Sequence, residues 1–132
     1  MRKSFTPAQA NRTLPLVKRI VAEILDQGRE LAALAARRRK QGDGEAGRLQ
    51  LRMDAVEMEM RDLLGELERI GCSYKDWGFE KGLVDFPGEI DGRPVLLCWR
   101  SDERSVRWFH SPEEGYAGRT PIPEALLRDD AV

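Results

Sequence analysis

At 132 residues, 41% apolar and 34% charged, the chain has the composition of one folded domain and not of a disordered segment. Twenty-two basic residues against twenty-three acidic ones leave a net charge of −1, a balance that argues against a dedicated nucleic-acid or membrane-surface binder. No run approaches the ~20 apolar residues of a membrane span, and Met1–Pro7 is followed by no apolar leader segment. A cytoplasmic location with Cys72 and Cys98 as free thiols is therefore expected.

Phe5-Thr6-Pro7-Ala8-Gln9 reads as a helix start. Thr6 is the cap, Gln9 completes a capping box, Pro7 takes the first helical position and Phe5 is placed to staple over Ala10. Pro15 predicts that this first helix is short and that a longer one follows, capped by Thr13. The longer helix carries Val17, Val21, Ile24, Gly28, Leu31 and Ala35, a four-three stripe with one hole at Gly28. Gln41-Gly42-Asp43-Gly44 breaks the pattern. A second helix repeats Leu49, Met53, Val56, Met60, Leu63, Leu67 and Ile70 and stops at Gly71. Two such stripes joined by a short loop predict a coiled-coil-like antiparallel hairpin of helices about 25 residues long.

The period then changes from 3.5 to 2. Leu83–Phe86, Pro94–Arg100 and Val106–His110 read as three short antiparallel strands. Asp91-Gly92 signals a type I′ turn that sets Ile90 opposite Arg93, Asp85 opposite Cys98 and Val84 opposite Trp99. A second turn centred on Asp102-Glu103 would put Cys98 beside Arg107 and Trp99 beside Val106. On that register Val84, Phe86, Val95, Leu97, Trp99, Val106, Trp108 and His110 share a packing face. Leu83, Asp85, Leu96, Cys98, Arg100, Arg107 and Phe109 form a mixed one, and a slip of one residue would exchange the two. Pro123–Leu127 predicts a last helical turn, with a frayed end at Asp129–Val132. The fold class is α+β in one domain over 1–132. Its helical part spans about 6–71, and a meander and tail occupy about 82–128.

Phe5-Thr6-x-x-x-Ala10-Asn11-x-x-Leu14-Pro15-Leu16, Gly82-Leu83-Val84-Asp85-Phe86-Pro87, Leu97-Cys98-Trp99-Arg100, and Trp108-x-His110 with Gly115-x-x-Gly118-Arg119 resemble the DUF2203 family, small prokaryotic proteins of unknown function. The resemblance runs through nearly the whole chain in order. It implies a bacterial cytoplasmic protein and supplies no activity.

Chemistry-capable side chains concentrate between Gly82 and Arg119. Asp85, Cys98, His110, Glu113 and Glu114 are competent metal ligands, yet no paired ligand spacing is present. On the register above His110 faces away from Asp85 and Cys98, which disfavours both a metal site and a Cys98–His110–Asp85 nucleophilic triad. Arg100, Arg107 and Arg119 suit carboxylate or phosphate recognition, with Gly115 and Gly118 allowing close backbone approach to an anion. The plainer alternative is a cross-strand pair of Asp85 with Arg100 or Arg107. Trp77, Trp99 and Trp108 read as core more than as an aromatic cage. Arg37–Lys40 reads as a solvated helix end that complements the dipole.

Off the main seam, Ile20, Leu25, Leu34, Leu51, Met58 and Leu64 form a second apolar stripe that short strands would not cover. A homodimer through the hairpin is expected from it. The function expected first is a non-enzymatic oligomeric interaction or small-anion-binding module, with Asp85, Cys98, Arg100, Arg107, His110 and Arg119 as ligand-binding residues and no cofactor. The alternative is a metal-dependent enzyme around Asp85, Cys98 and His110. A nucleic-acid role for Arg37–Lys40 ranks last.

Overall fold

The computed structural model describes residues 4–40, 42–76 and 78–128, with Asp43 described by its backbone alone. Trp77 and the end at 129–132 lie outside the described residues. Two long helices, α1 (Pro7–Lys40) and α2 (Asp43–Ile70), precede strands β1 (Ser73–Tyr74), β2 (Leu83–Ile90), β3 (Arg93–Arg100), β4 (Trp108–His110) and β5 (Thr120–Pro121), then a short helix α3 (Glu124–Leu127). The strands form one antiparallel sheet in the order β1-β2-β3-β4-β5. The fold is thus α+β as expected, with five strands where three were predicted.

The start of α1 follows its sequence signature. Thr6 N–H donates to Gln9 Oε1 at 2.9 Å, and Gln9 N–H donates to Thr6 Oγ1 at 3.1 Å. The predicted separate first helix is not formed, because α1 runs through Pro15 without a break. An interior proline costs about 3 kcal/mol. Here Pro15 is exposed while its neighbours Leu14 and Val17 are buried with Ala10, Val21 and Ile24 against the sheet. Packing of a continuous apolar face outweighs the missing backbone bond.

The antiparallel hairpin is present, tied by Arg52 to Glu30 at 2.6 Å and by a small second core of Leu34, Leu49 and Val56. Gly71 ends α2 with φ of 114°, its N–H donating to Leu67 O at 3.0 Å. The hole in the stripe at Gly28 also has a cause. A Cβ there would lie 2.4 Å from Cγ of Phe79, whose ring occupies the gap and stacks on Tyr74. The off-seam stripe is mostly covered: Ile20, Leu25 and Leu34 are buried, and Leu51 and Met58 alone of the six stand far into water, 71% and 64% exposed.

Between β2 and β3 the hairpin follows the predicted register, with Asp85 opposite Cys98 and Ile90 opposite Arg93 around Asp91 (φ 53°) and Gly92 (φ 78°). The next register does not. Cys98 pairs with Trp108, Leu97 with Phe109 and Leu96 with His110, one residue off the expected alignment. The cause lies in α1. Val106 N–H donates to Asn11 Oδ1 at 2.7 Å, and Asn11 Nδ2 donates to Val106 O at 3.0 Å. With its backbone taken by a helix side chain, Val106 does not pair with Trp99, and β4 starts later. One slip exchanges the faces. Phe109 now packs against the core, while Trp108 and His110 join Asp85 and Cys98 on the outer face.

Candidate functional site

The outer face of β2–β4 is not left to solvent. The segment after β4 folds over it, turning at Ser111–Glu114 and through a 3-10 turn at Tyr116–Gly118. Beneath it Asp85, Cys98 and His110 are 5%, 2% and 4% exposed. One carboxylate oxygen, the thiol sulfur and one imidazole nitrogen all lie within 4.8 Å of one another. Three neighbouring central strands each supply one of these side chains, which fixes their directions without help from a loop. The expectation that His110 faces away from the other two is overturned by the one-residue slip of β4.

His110 Nδ1–H donates to the Ser111 carbonyl at 2.9 Å, since a carbonyl can only accept. Its Nε2 faces Asp85 Oδ1 at 3.2 Å. Both ring nitrogens thus face acceptors, so either a second proton or a cation belongs between Nε2 and the carboxylate. Burial, reinforced by the Asp85 charge, pushes the Cys98 thiol up to about 12. Cys98 is a protonated, shielded thiol and not an activated nucleophile. Nucleophilic attack by Cys98 would first require that proton to be removed.

Arg119 holds the cover down. Its guanidinium lies 4.6 Å from the Trp108 ring centroid and 4.5 Å from that of Tyr116, and the Arg100 guanidinium lies 5.4 Å from the Tyr116 centroid. Arg119 also donates to Glu103 Oε2, while its Nε and Nη1 are buried without a hydrogen-bond partner among the described residues. Glu103, read in the sequence only as a turn residue, closes the β3–β4 turn as well. Its carbonyl accepts from Trp99 Nε1–H at 2.9 Å and its Oε1 from Arg100 N–H at 2.8 Å.

The remaining sequence candidates separate. Arg100 Nε donates to Asp102 Oδ1 at 2.5 Å at the rim. Arg107 pairs with Glu124 at 3.5 Å and lines a different cleft beside Asn11 and Lys18. Neither forms the expected pair with Asp85, whose partner is His110. The backbone N–H groups of Gly118 and Arg119 are used within the 3-10 turn, by Gly115 O and Tyr116 O, and so do not form an open anion nest. Glu113 is exposed and outside the cluster, and Glu114 accepts from Ser111 Oγ at 3.1 Å.

Asp85 and His110 open onto a cavity of about 330 Å³, walled by Leu83, Leu96, Pro112 and Tyr116 and rimmed by Lys75 and Glu114. Sequence reading missed Lys75 and Pro112 as parts of a site, and placed Leu96 on the mixed face without a role. Nothing in their local pattern marks them, because the β4 register and the cover decide their place. Among the described residues no helix is long and apolar enough to cross a membrane. Neither the curated proteins nor the solved structures contain a match to the chain. A family model described as "Uncharacterized conserved protein (DUF2203)" matches residues 3–122, and the chain belongs to that family.

Proposed function

We propose that the protein binds a small polar molecule in the cavity floored by Asp85 and His110. One observation carries this reading: a buried carboxylate–imidazole pair at the bottom of an open cavity, on the sheet face away from the main core. Removing two ionisable groups from water costs several kcal/mol that an apolar pair would not. At about 330 Å³ the cavity lies at the small end of ligand sites, which suits a molecule of amino-acid or short-chain acid size. Lys75 offers a donor to an anionic group, and Asp85 and Glu114 accept from hydroxyl or ammonium groups.

The test is thermal stabilisation of the wild-type protein by a panel of small carboxylates, phosphates and amino acids, beside Leu96→Trp. The added ring is sized to fill the cavity. A ligand at a hundred times its Kd raises stability by about 2.7 kcal/mol. Stabilisation of the wild type that disappears in Leu96→Trp is the expected result. No shift from any member at millimolar concentration overturns the reading.

A second reading concerns assembly. Leu51 and Met58 lie one heptad apart on α2 and are the most exposed large apolar side chains described. They support pairing of two copies through the α2 face. The expectation is a dimer by sedimentation at micromolar concentration that becomes monomeric in Leu51→Glu/Met58→Glu. A wild-type monomer at that concentration refutes it.

A further inference from the structure

We propose that Asp85, Cys98 and His110 are a binding site for one divalent transition-metal ion of the zinc type, with its fourth coordination position open to the cavity. The position of that opening rests on the cavity reading above; the three-ligand site does not.

The ligand set is one imidazole nitrogen, one thiolate and one carboxylate, the donor types zinc takes. A soft sulfur disfavours magnesium and calcium, which prefer all-oxygen shells. In a tetrahedral zinc site ligand atoms stand about 3.3–3.7 Å apart, from bond lengths of about 2.0–2.3 Å. The observed group, within 4.8 Å, needs a contraction of about 1 Å, a matter of side-chain rotation on fixed strands. Charge also balances. A thiolate and a carboxylate neutralise a divalent ion, so the occupied site is uncharged where burial demands it.

The His110 geometry is an independent indication. Its Nε2 faces Asp85, and its Nδ1 meets the Ser111 carbonyl. That is the outer-shell bond that fixes the ligating tautomer of a metal-bound histidine. A cation between Nε2 and Oδ1 satisfies both atoms, as a second proton there does. The site also explains how a cavity bearing two carboxylates, Asp85 and Glu114, would accept an anionic ligand. With a divalent ion at the floor the local sign inverts, and a carboxylate or phosphate oxygen has a partner at the fourth position. On binding, the Cys98 S–H bond breaks, a sulfur–metal bond forms, and the proton leaves to solvent.

The test uses the full-length protein, stripped with a chelator and titrated with Co²⁺ and then Zn²⁺ alone. One Co²⁺ per chain with a thiolate-to-cobalt charge-transfer band, displaced by Zn²⁺, is expected. Cys98→Ser should remove the band, Asp85→Asn and His110→Ala should weaken Co²⁺ binding about a hundredfold or more, and Cys72→Ser should leave the band in place. Circular dichroism identifies any variant that fails to fold, and the near-isosteric Cys98→Ser and Asp85→Asn keep the comparison decisive. Absence of the band in the wild type, or its persistence in Cys98→Ser, overturns the site. The ligand panel run with and without chelator separates the two readings. Ligand binding without a cobalt band leaves the cavity and removes the metal; a cobalt band without any ligand does the reverse.

Discussion

Asn11→Leu is expected to lower the unfolding free energy by about 4 kcal/mol, from two buried backbone groups losing their partners at roughly 1–3 kcal/mol each. Val106 is completely buried, and its N–H and C=O both go to the Asn11 amide. Leucine is close to asparagine in size, so the loss is one of hydrogen bonding and not of volume. Asn11→Asp keeps the acceptor for Val106 N–H but sets a carboxylate against Val106 O, and should fall between leucine and wild type. Urea unfolding monitored by tryptophan fluorescence gives the numbers, and the leucine variant's melting midpoint should drop by roughly 12–15 °C. A loss under about 1 kcal/mol would show that Val106 finds other partners and that Asn11 does not set the β4 register.

That single amide marks how far the chain could be read in advance. Periodicity and caps act over a few residues, and what they govern came out as expected: the Thr6–Gln9 box, the Gly71 stop, the Asp91-Gly92 turn and the β2–β3 register. Where a distant contact decides, local pattern failed. Pro15 reads as a break, but burial of Leu14 and Val17 under the sheet carries the helix through. β1 and β5 are two residues each, too short for alternation to show. The β3–β4 register depends on a side chain 95 positions away, so the turn residues between the strands could not reveal it. The candidate site inherited that error. Asp85 beside Cys98 was legible, but His110 was assigned to the wrong face, and the arginines looked like one group. In space, Arg119 clamps the cover, Arg100 lies over Tyr116 and pairs with Asp102, and Arg107 belongs to another cleft.

Whether the outer face is a site or a second small core is decided by the stability of two variants without metal. His110→Leu is expected to cost about 3–5 kcal/mol, because it leaves Asp85 buried and stripped of its imidazole partner. Asp85→Leu/His110→Leu removes both groups and leaves nothing charged to desolvate. If the pair is kept for what it binds, this double variant should recover most of the loss and match or exceed the wild type by up to about 4 kcal/mol. It should also bind neither Co²⁺ nor any member of the ligand panel. Guanidinium unfolding of the wild type and both variants, all in chelator, reads the comparison directly. A double variant as unstable as the single one would mean that the bonds from His110 to Ser111 and Asp85 hold the cover in place. The pair would then be structural, and Arg119, Trp108 and Tyr116 would be packing over a polar core.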